Sequence, residues 1–164
     1  MSDPNVRSGS GVRPRFVVGI DGSEAAQVAL KWALTEAALR DADLDVVIAW
    51  EYPYQWAEGF NTKWAEDTEA FAKAALAEAT KALECALAGQ PKPKWVTVHS
   101  LQGSAARVLL DRSKGADLLV VGSRGRGGFA GMLLGSVSTA CVHHTSCPVA
   151  VIPMPEHAGE LDHA

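Results

Sequence analysis

Apolar positions along the chain cluster into short runs, separated by longer stretches with helical spacing. "RFVVGI" (15–20), "LDVVIAW" (44–50), "KWVTVHSL" (94–101), "ADLLVVG" (116–122) and "PVAVIP" (148–153) are brief and rich in β-branched residues, and each predicts a strand. After the first run, Ala26, Ala29, Leu30, Ala33 and Ala37 form a stripe with helical period. Ser23 stands where it can cap that helix, with Glu24 near its positive end. A longer helix is predicted from about Thr62 to Ala88, with the stripe Trp64, Phe71, Ala75, Ala79, Leu83 and Leu87. Gly89 and Pro91 stop it. "GSAARVLLDRSK" predicts a third helix with Ser104 as its cap, and a last helix starts near Ser136.

Strands that alternate with helices, and that read as continuous apolar runs, predict a parallel sheet covered on both faces. Right-handed crossovers leave few topologies for it. Such open sheets bind ligands beyond the carboxyl ends of their strands, where the winding reverses. The ends to inspect are therefore Ile20-Asp21, Ala49-Trp50 and above all Val121-Gly122.

A length of 164 residues suits one domain, expected over 15–153 between flexible tails at 1–14 and 154–164. With 48% hydrophobic and 21% charged residues the chain reads as a soluble globule, and no run is long enough to span a bilayer. The first residues lack the apolar centre of a secretory signal, so a cytoplasmic location is expected. Three cysteines, Cys85, Cys141 and Cys147, fit a reducing compartment. A net charge of −4 predicts neither a nucleic-acid nor a membrane partner. Its distribution says more. No carboxylate occurs between Asp117 and Glu156, while Arg124 and Arg126 stand in that gap, which favours an anion.

Both arginines lie in "LVVGSRGRGGFAGMLLGSVSTA" (119–140), which leads from the fourth strand into the last helix. A helix start offers unpaired N–H groups and a positive dipole. Glycine lets phosphate approach the backbone without meeting a Cβ. Ser136 and Ser138 add hydroxyls, and Arg124 or Arg126 can add charge. Two common phosphate motifs fail here. A P-loop counted from Gly122 puts Gly128 where lysine is required, and a dinucleotide fingerprint on Gly125, Gly127 and Ala130 lacks its downstream acid. What fits is Gly122-x-x-Gly125, nine residues, then Gly135-Ser136.

With this pattern, "VVGIDGSE" at the first strand and "TSCPVAVIP" at the fifth, the chain from about Arg15 to Pro153 resembles the universal stress protein family, in particular its ATP-binding branch. The resemblance implies an α/β fold, an open five-stranded parallel sheet sandwiched by helices. That sheet is Rossmann-like, of the adenine nucleotide alpha-hydrolase type, with strand order 3-2-1-4-5. It implies an adenine nucleotide, ATP with Mg²⁺ as an optional companion, across the ends of strands 1, 2 and 4. Ile20 and Asp21 would hold the ribose or adenine side, and the backbone around Ala49 would meet the adenine edge. Gly122 and Gly125 would pass under ribose and phosphates beside Arg124, and Gly135, Ser136, Val137 and Ser138 would bind the phosphate chain. On this reading a Cβ at Gly122 or Gly135 intrudes on the ligand and leaves the fold intact. The fifth strand, if at a sheet edge, exposes an unpaired ladder, which the resembled family commonly pairs with a second subunit; a homodimer is expected. The implied function is an ATP-binding regulatory module of the stress response. The alternatives are a slow ATPase, a module binding cAMP or AMP, and a dimeric interaction protein without nucleotide.

Plainer readings stand beside these. Asp21 also suits a turn, Arg124 and Arg126 a solvated loop, and Gly127, Gly128 and Gly131 a loosened one. In "CVHHTSC" (141–147) Cys141 and His144 share a helix face that His143 does not, and two ligands do not make a zinc site. "GSVST" is not a nucleophile elbow, and no catalytic residue is predicted. A single "RGRGG" on an acidic chain does not read as an RNA-binding tail. His99 reads as a strand-end residue without a special task. Trp50, Tyr52, Tyr54, Trp56, Phe60 and Trp64 leave the second strand where adenine would sit, and form either a lid over the base or packing under a long loop or at a subunit contact.

Overall fold

The computed structural model describes residues 12–52, 64–126 and 134–155. Strands and helices alternate along them: β1 (Arg15–Ile20), α1 (Glu24–Leu39), β2 (Asp43–Trp50), α2 (Trp64–Leu87), β3 (Val96–Gln102), α3 (Ala105–Ser113), β4 (Leu118–Gly122), α4 (Ser136–His144) and β5 (Val149–Ile152). The strands form one parallel sheet in the order β3-β2-β1-β4-β5, as the resemblance implied. Val18 of β1 stands at the centre, level with Val46 of β2 on one side and Val120 of β4 on the other.

Successive strand residues face opposite ways, so the sheet feeds two apolar clusters. Phe16, Val18 and Ile20, with Leu44, Val46 and Ile48, meet the buried stripe of α1 (Ala26, Ala29, Leu30, Ala33, Ala37) and Ala75, Ala79 and Leu83 of α2. Val17, Val47, Leu119 and Val121 meet Val108 and Leu109 of α3 and Cys141 of α4. The Ser23 hydroxyl caps α1 by accepting the Ala26 N–H at 3.2 Å, as its position predicted. Ser104 is at the N-cap of α3, but its side chain makes no cap bond, which corrects the role expected of it. Ala88 and Gly89, both with positive φ (49° and 83°), end α2. Among the described residues no helix is long and apolar enough to cross a membrane.

Of the aromatic group, Trp50 stacks on Phe71 of α2, with ring centroids 6.2 Å apart and planes 11° from parallel. Tyr52 meets both rings edge-on. These two therefore pack on α2; Tyr54, Trp56 and Phe60 lie outside the described residues.

His99 departs from its predicted role. It lies in the middle of β3, with Nε2 3.0 Å from Asp45 Oδ1 and 2.9 Å from Arg112 Nη2. The Asp45 Oδ2 atom accepts from Arg112 at 2.8 Å and from Arg15 at 3.1 Å. Arg15 also donates to the carbonyls of Arg112 and Lys114, so the cluster braces β1, β2, β3 and α3 together. Nε2 serves one neighbour at a time: protonated, it donates to Asp45, and unprotonated, it accepts from Arg112. Burial pushes the Asp45 carboxyl up, but the hydrogen bond and charge of His99, with Arg112 and Arg15, outweigh it and hold the carboxyl below its usual range.

At the other end of the sheet, Gly122 closes β4 against the first turn of α1. A Cβ at Gly122 would lie 2.9 Å from the carbonyl carbon and oxygen of Ala25. The missing side chain serves helix-on-sheet packing, which corrects the expectation that it only makes room for ligand.

Two outcomes follow for stability. Replacing Asp45 with asparagine removes charge-assisted bonds and lowers unfolding free energy near neutral pH by about 2 kcal/mol. Because the folded carboxyl titrates lower than the unfolded one, its contribution is present above about pH 4 and is lost as pH falls through the folded value. Urea titrations from about pH 7 down to about pH 3 should show the variant's deficit shrinking with acid. By the same measurement, Gly122→Ala lowers stability by about 1–3 kcal/mol through overpacking against Ala25. An unchanged midpoint would refute that account of Gly122.

Candidate functional site

Helix α1 leaves β1 toward one face of the sheet, and α4 follows β4 on the other. Between the carboxyl ends of these neighbouring strands neither helix covers the sheet, and a crevice opens. It holds a cavity of about 520 Å³, within the size range of small-molecule sites.

Nine of the ten residues predicted for the site line this cavity: Ile20, Asp21, Gly122, Arg124, Gly125, Gly135, Ser136, Val137 and Ser138. Ala49 is not among them. It lies one strand further from the reversal, pairs across the ladder with Leu101 and packs into the cluster beneath α3. Sequence reasoning missed Ala105 and Leu109 of α3, which supply an apolar wall. Leu109 lies over Gly19, where a Cβ would come within 2.5 Å of its Cδ1. The pattern of "GSAARVLLDRSK" marks an amphipathic helix but does not say which strands it will cover.

The polar geometry is built from small side chains and main chain. Asp21 Oδ1 accepts the Ser23 N–H at 2.9 Å, the turn role weighed for it. Its Oδ2 accepts the Arg126 N–H at 3.1 Å, so one carboxylate joins the β1–α1 turn to the loop after β4. Gly125 makes room for this contact, since a Cβ there would lie 2.7 Å from Asp21 Oδ2. Ser138 is buried, and its hydroxyl donates to the Gly122 carbonyl at 2.6 Å. That hydroxyl is therefore engaged within the fold, which corrects its expected use as a ligand donor, although Ser138 still lines the cavity.

The first helical bond of α4 runs from Thr139 N–H to Gly135 O at 2.9 Å. The N–H groups of Ser136, Val137 and Ser138 precede it, at the positive end of the helix. Gly135, the N-cap residue, has no side chain to cap them. Its backbone is ordinary (φ −71°, ψ 165°), and a Cβ there would meet nothing closer than 3.5 Å. Ser136 and Arg124 are exposed beside it, and among the described residues Arg124 has no ion pair. Arg126 pairs with Glu78 of α2.

The "CVHHTSC" residues separate. Cys141 is buried, and that burial, with Cys147 nearby, pushes its thiol up to about 11. His143 and His144 are exposed in the last turn of α4. Among the described residues no three His, Cys, Asp or Glu side chains stand together as a metal site.

Known proteins resemble this chain in sequence and fold. The sequence profile of the universal stress protein family matches residues 13–153. A universal stress protein of Mycobacterium tuberculosis (strain H37Rv) is 40% identical over 147 residues, covering 84% of this chain and 46% of its own length. The chain spans about half the length of the curated relatives it matches. Among solved structures, a universal stress protein in complex with cAMP is 26% identical, with a TM-score of 0.58 over 86% of this chain and 97% of its own. A universal stress protein of Lactobacillus plantarum shares the fold at a TM-score of 0.65 and 22% identity, over 87% and 99% of the two chains. The chain belongs to the universal stress protein family.

Proposed function

We propose that the chain is a cytoplasmic ATP-binding regulatory module of the stress response, holding its nucleotide in the crevice between β1 and β4. The observation that carries this reading is the start of α4: backbone N–H groups of Ser136, Val137 and Ser138 facing a cavity of about 520 Å³, with Arg124 beside them. Phosphates take the α4 amides, and the base takes the apolar wall of Ala105, Leu109 and Val121. A magnesium ion arriving with the nucleotide would draw its ligands from phosphate and water, because the two N–H groups that Asp21 accepts offset part of its charge. For the same reason Asp21 is a poor base for activating water, which favours binding over hydrolysis.

A second reading has a specific observation behind it. The relative with 26% identity was solved with cAMP, and a single phosphate at α4 would use the same amides and the same apolar wall. The β5 edge supports the homodimer: Val149, Ala150, Val151 and Ile152 are half-buried, and among the described residues β5 pairs with β4 alone. Pairing with β5 of a second copy would satisfy the free ladder groups.

Titration calorimetry with ATP, cAMP and AMP tests the binding reading. The wild type binds, and Gly135→Ala, which the fold accommodates, weakens ATP by at least about tenfold with an unchanged melting temperature, because its methyl group crowds the amides. Absence of heat with all three ligands would refute the reading, and tighter binding of cAMP than ATP would select the second. Light scattering of the full chain should give twice the chain mass; a monomer at micromolar concentration would overturn the β5 dimer.

A further inference from the structure

We propose that Glu78 of α2 competes with a bound polyphosphate for the guanidinium of Arg126, and so sets how strongly the site favours longer phosphate chains. This rests on the nucleotide reading above and adds to it a residue from outside the cavity.

Arg126 lines the cavity, and its backbone is held there by the bond from its N–H to Asp21. Its guanidinium pairs with Glu78 across the β1–α1 turn. Gly22 makes the crossing possible. It adopts φ +76°, and a Cβ there would overlap both the Glu78 carboxylate and the Arg126 guanidinium. Glu78 is not a loosely placed partner. Ala75 and Ala79 on either side of it are buried in the core, and Gln27 of α1 donates to the Ala82 carbonyl at 3.0 Å, fixing the helix that carries it.

The cavity thus faces two arginines in different conditions: Arg124 has no ion pair among the described residues, and Arg126 has one. The Arg126–Glu78 pair is open to solvent, with side chains 64% and 38% exposed, and exposed pairs of this kind contribute little. A polyphosphate offers the guanidinium more charge and more acceptor oxygens than one carboxylate does. Exchange therefore favours the ligand, but by less than it would if Glu78 were neutral. The penalty grows with ligand charge and vanishes for a ligand without phosphate.

The test is calorimetry on the full chain with ATP, inorganic tripolyphosphate and adenosine, using wild type, Glu78→Gln, Arg126→Ala and the double variant. Glu78→Gln should bind ATP and tripolyphosphate about 3- to 10-fold more tightly than wild type, with adenosine unchanged. In the Arg126→Ala background the same change should do nothing, which separates competition for this guanidinium from a general gain in positive potential. Equal or weaker ATP binding by Glu78→Gln, or a gain that persists without Arg126, overturns the competition and leaves the nucleotide reading standing. A Glu78 effect on tripolyphosphate with no binding of ATP or adenosine keeps the competition and refutes the adenine reading. No binding of either polyphosphate by any variant overturns both.

Discussion

A parallel sheet whose helices change face between two neighbouring strands cannot cover its own carboxyl edge at that place. Here the change falls between β1 and β4, and the site is built around the resulting gap. Two close contacts hold it open at a fixed width. On one side Gly122 lets the end of β4 approach the Ala25 backbone of α1. On the other, the Ser138 hydroxyl ties the first turn of α4 to the Gly122 carbonyl. The same glycine thus anchors both walls, and packing rather than a dedicated residue brings the first turn of α4 to the gap.

Charge is arranged differently at the two ends of the sheet. Near the strands' amino ends, cations and carboxylates answer one another: Arg13 with Asp41 and Asp43, and Arg15 and Arg112 with Asp45. At the carboxyl end of β4 the sequence carries Arg124 and Arg126 but no carboxylate between Asp117 and Glu156. The compensating groups come from elsewhere, Asp21 from the end of β1 and Glu78 from α2. A chain with net charge −4 therefore keeps a locally positive mouth without basic composition, and the helix dipole of α4 adds to it.

What could be read from the sequence follows the range of the interactions. The five strands and four helices appear in their predicted order because apolar period is a local property. Their order in the sheet came from resemblance, since periodicity does not choose between topologies. The starts of β3 and β4 were placed two residues early: Trp95 and Ala116 are apolar and pack against the core, but they precede the first ladder partner. The start of α4 near Ser136 was legible because the residue types at a helix's N-cap and first turn are a local signal. The tasks of Gly122 and His99 were not. One is set by Ala25, 97 positions away by their numbering, and the other by Asp45 and Arg112 on separate elements. Ala49 lies away from the cavity for a related reason: strand ends that look alike in sequence differ in their distance from the winding reversal.

A carboxylate in a crevice proposed to take a phosphate needs an explanation, and Asp21 supplies one through its bonds. An ionised carboxylate has about four acceptor positions. One position on each oxygen is taken, by the Ser23 and Arg126 amides, and these donors offset part of its charge. The remaining lone pairs suit a neutral donor, such as a sugar hydroxyl, far better than a phosphate oxygen. Under the nucleotide reading, turn former and ribose acceptor are then compatible roles for the same side chain. On that reading Asp21 would also orient the ligand, because its charge repels phosphate while the α4 helix start attracts it. The polarity of a nucleotide held in the crevice would then follow from this one carboxylate and the helix start of α4.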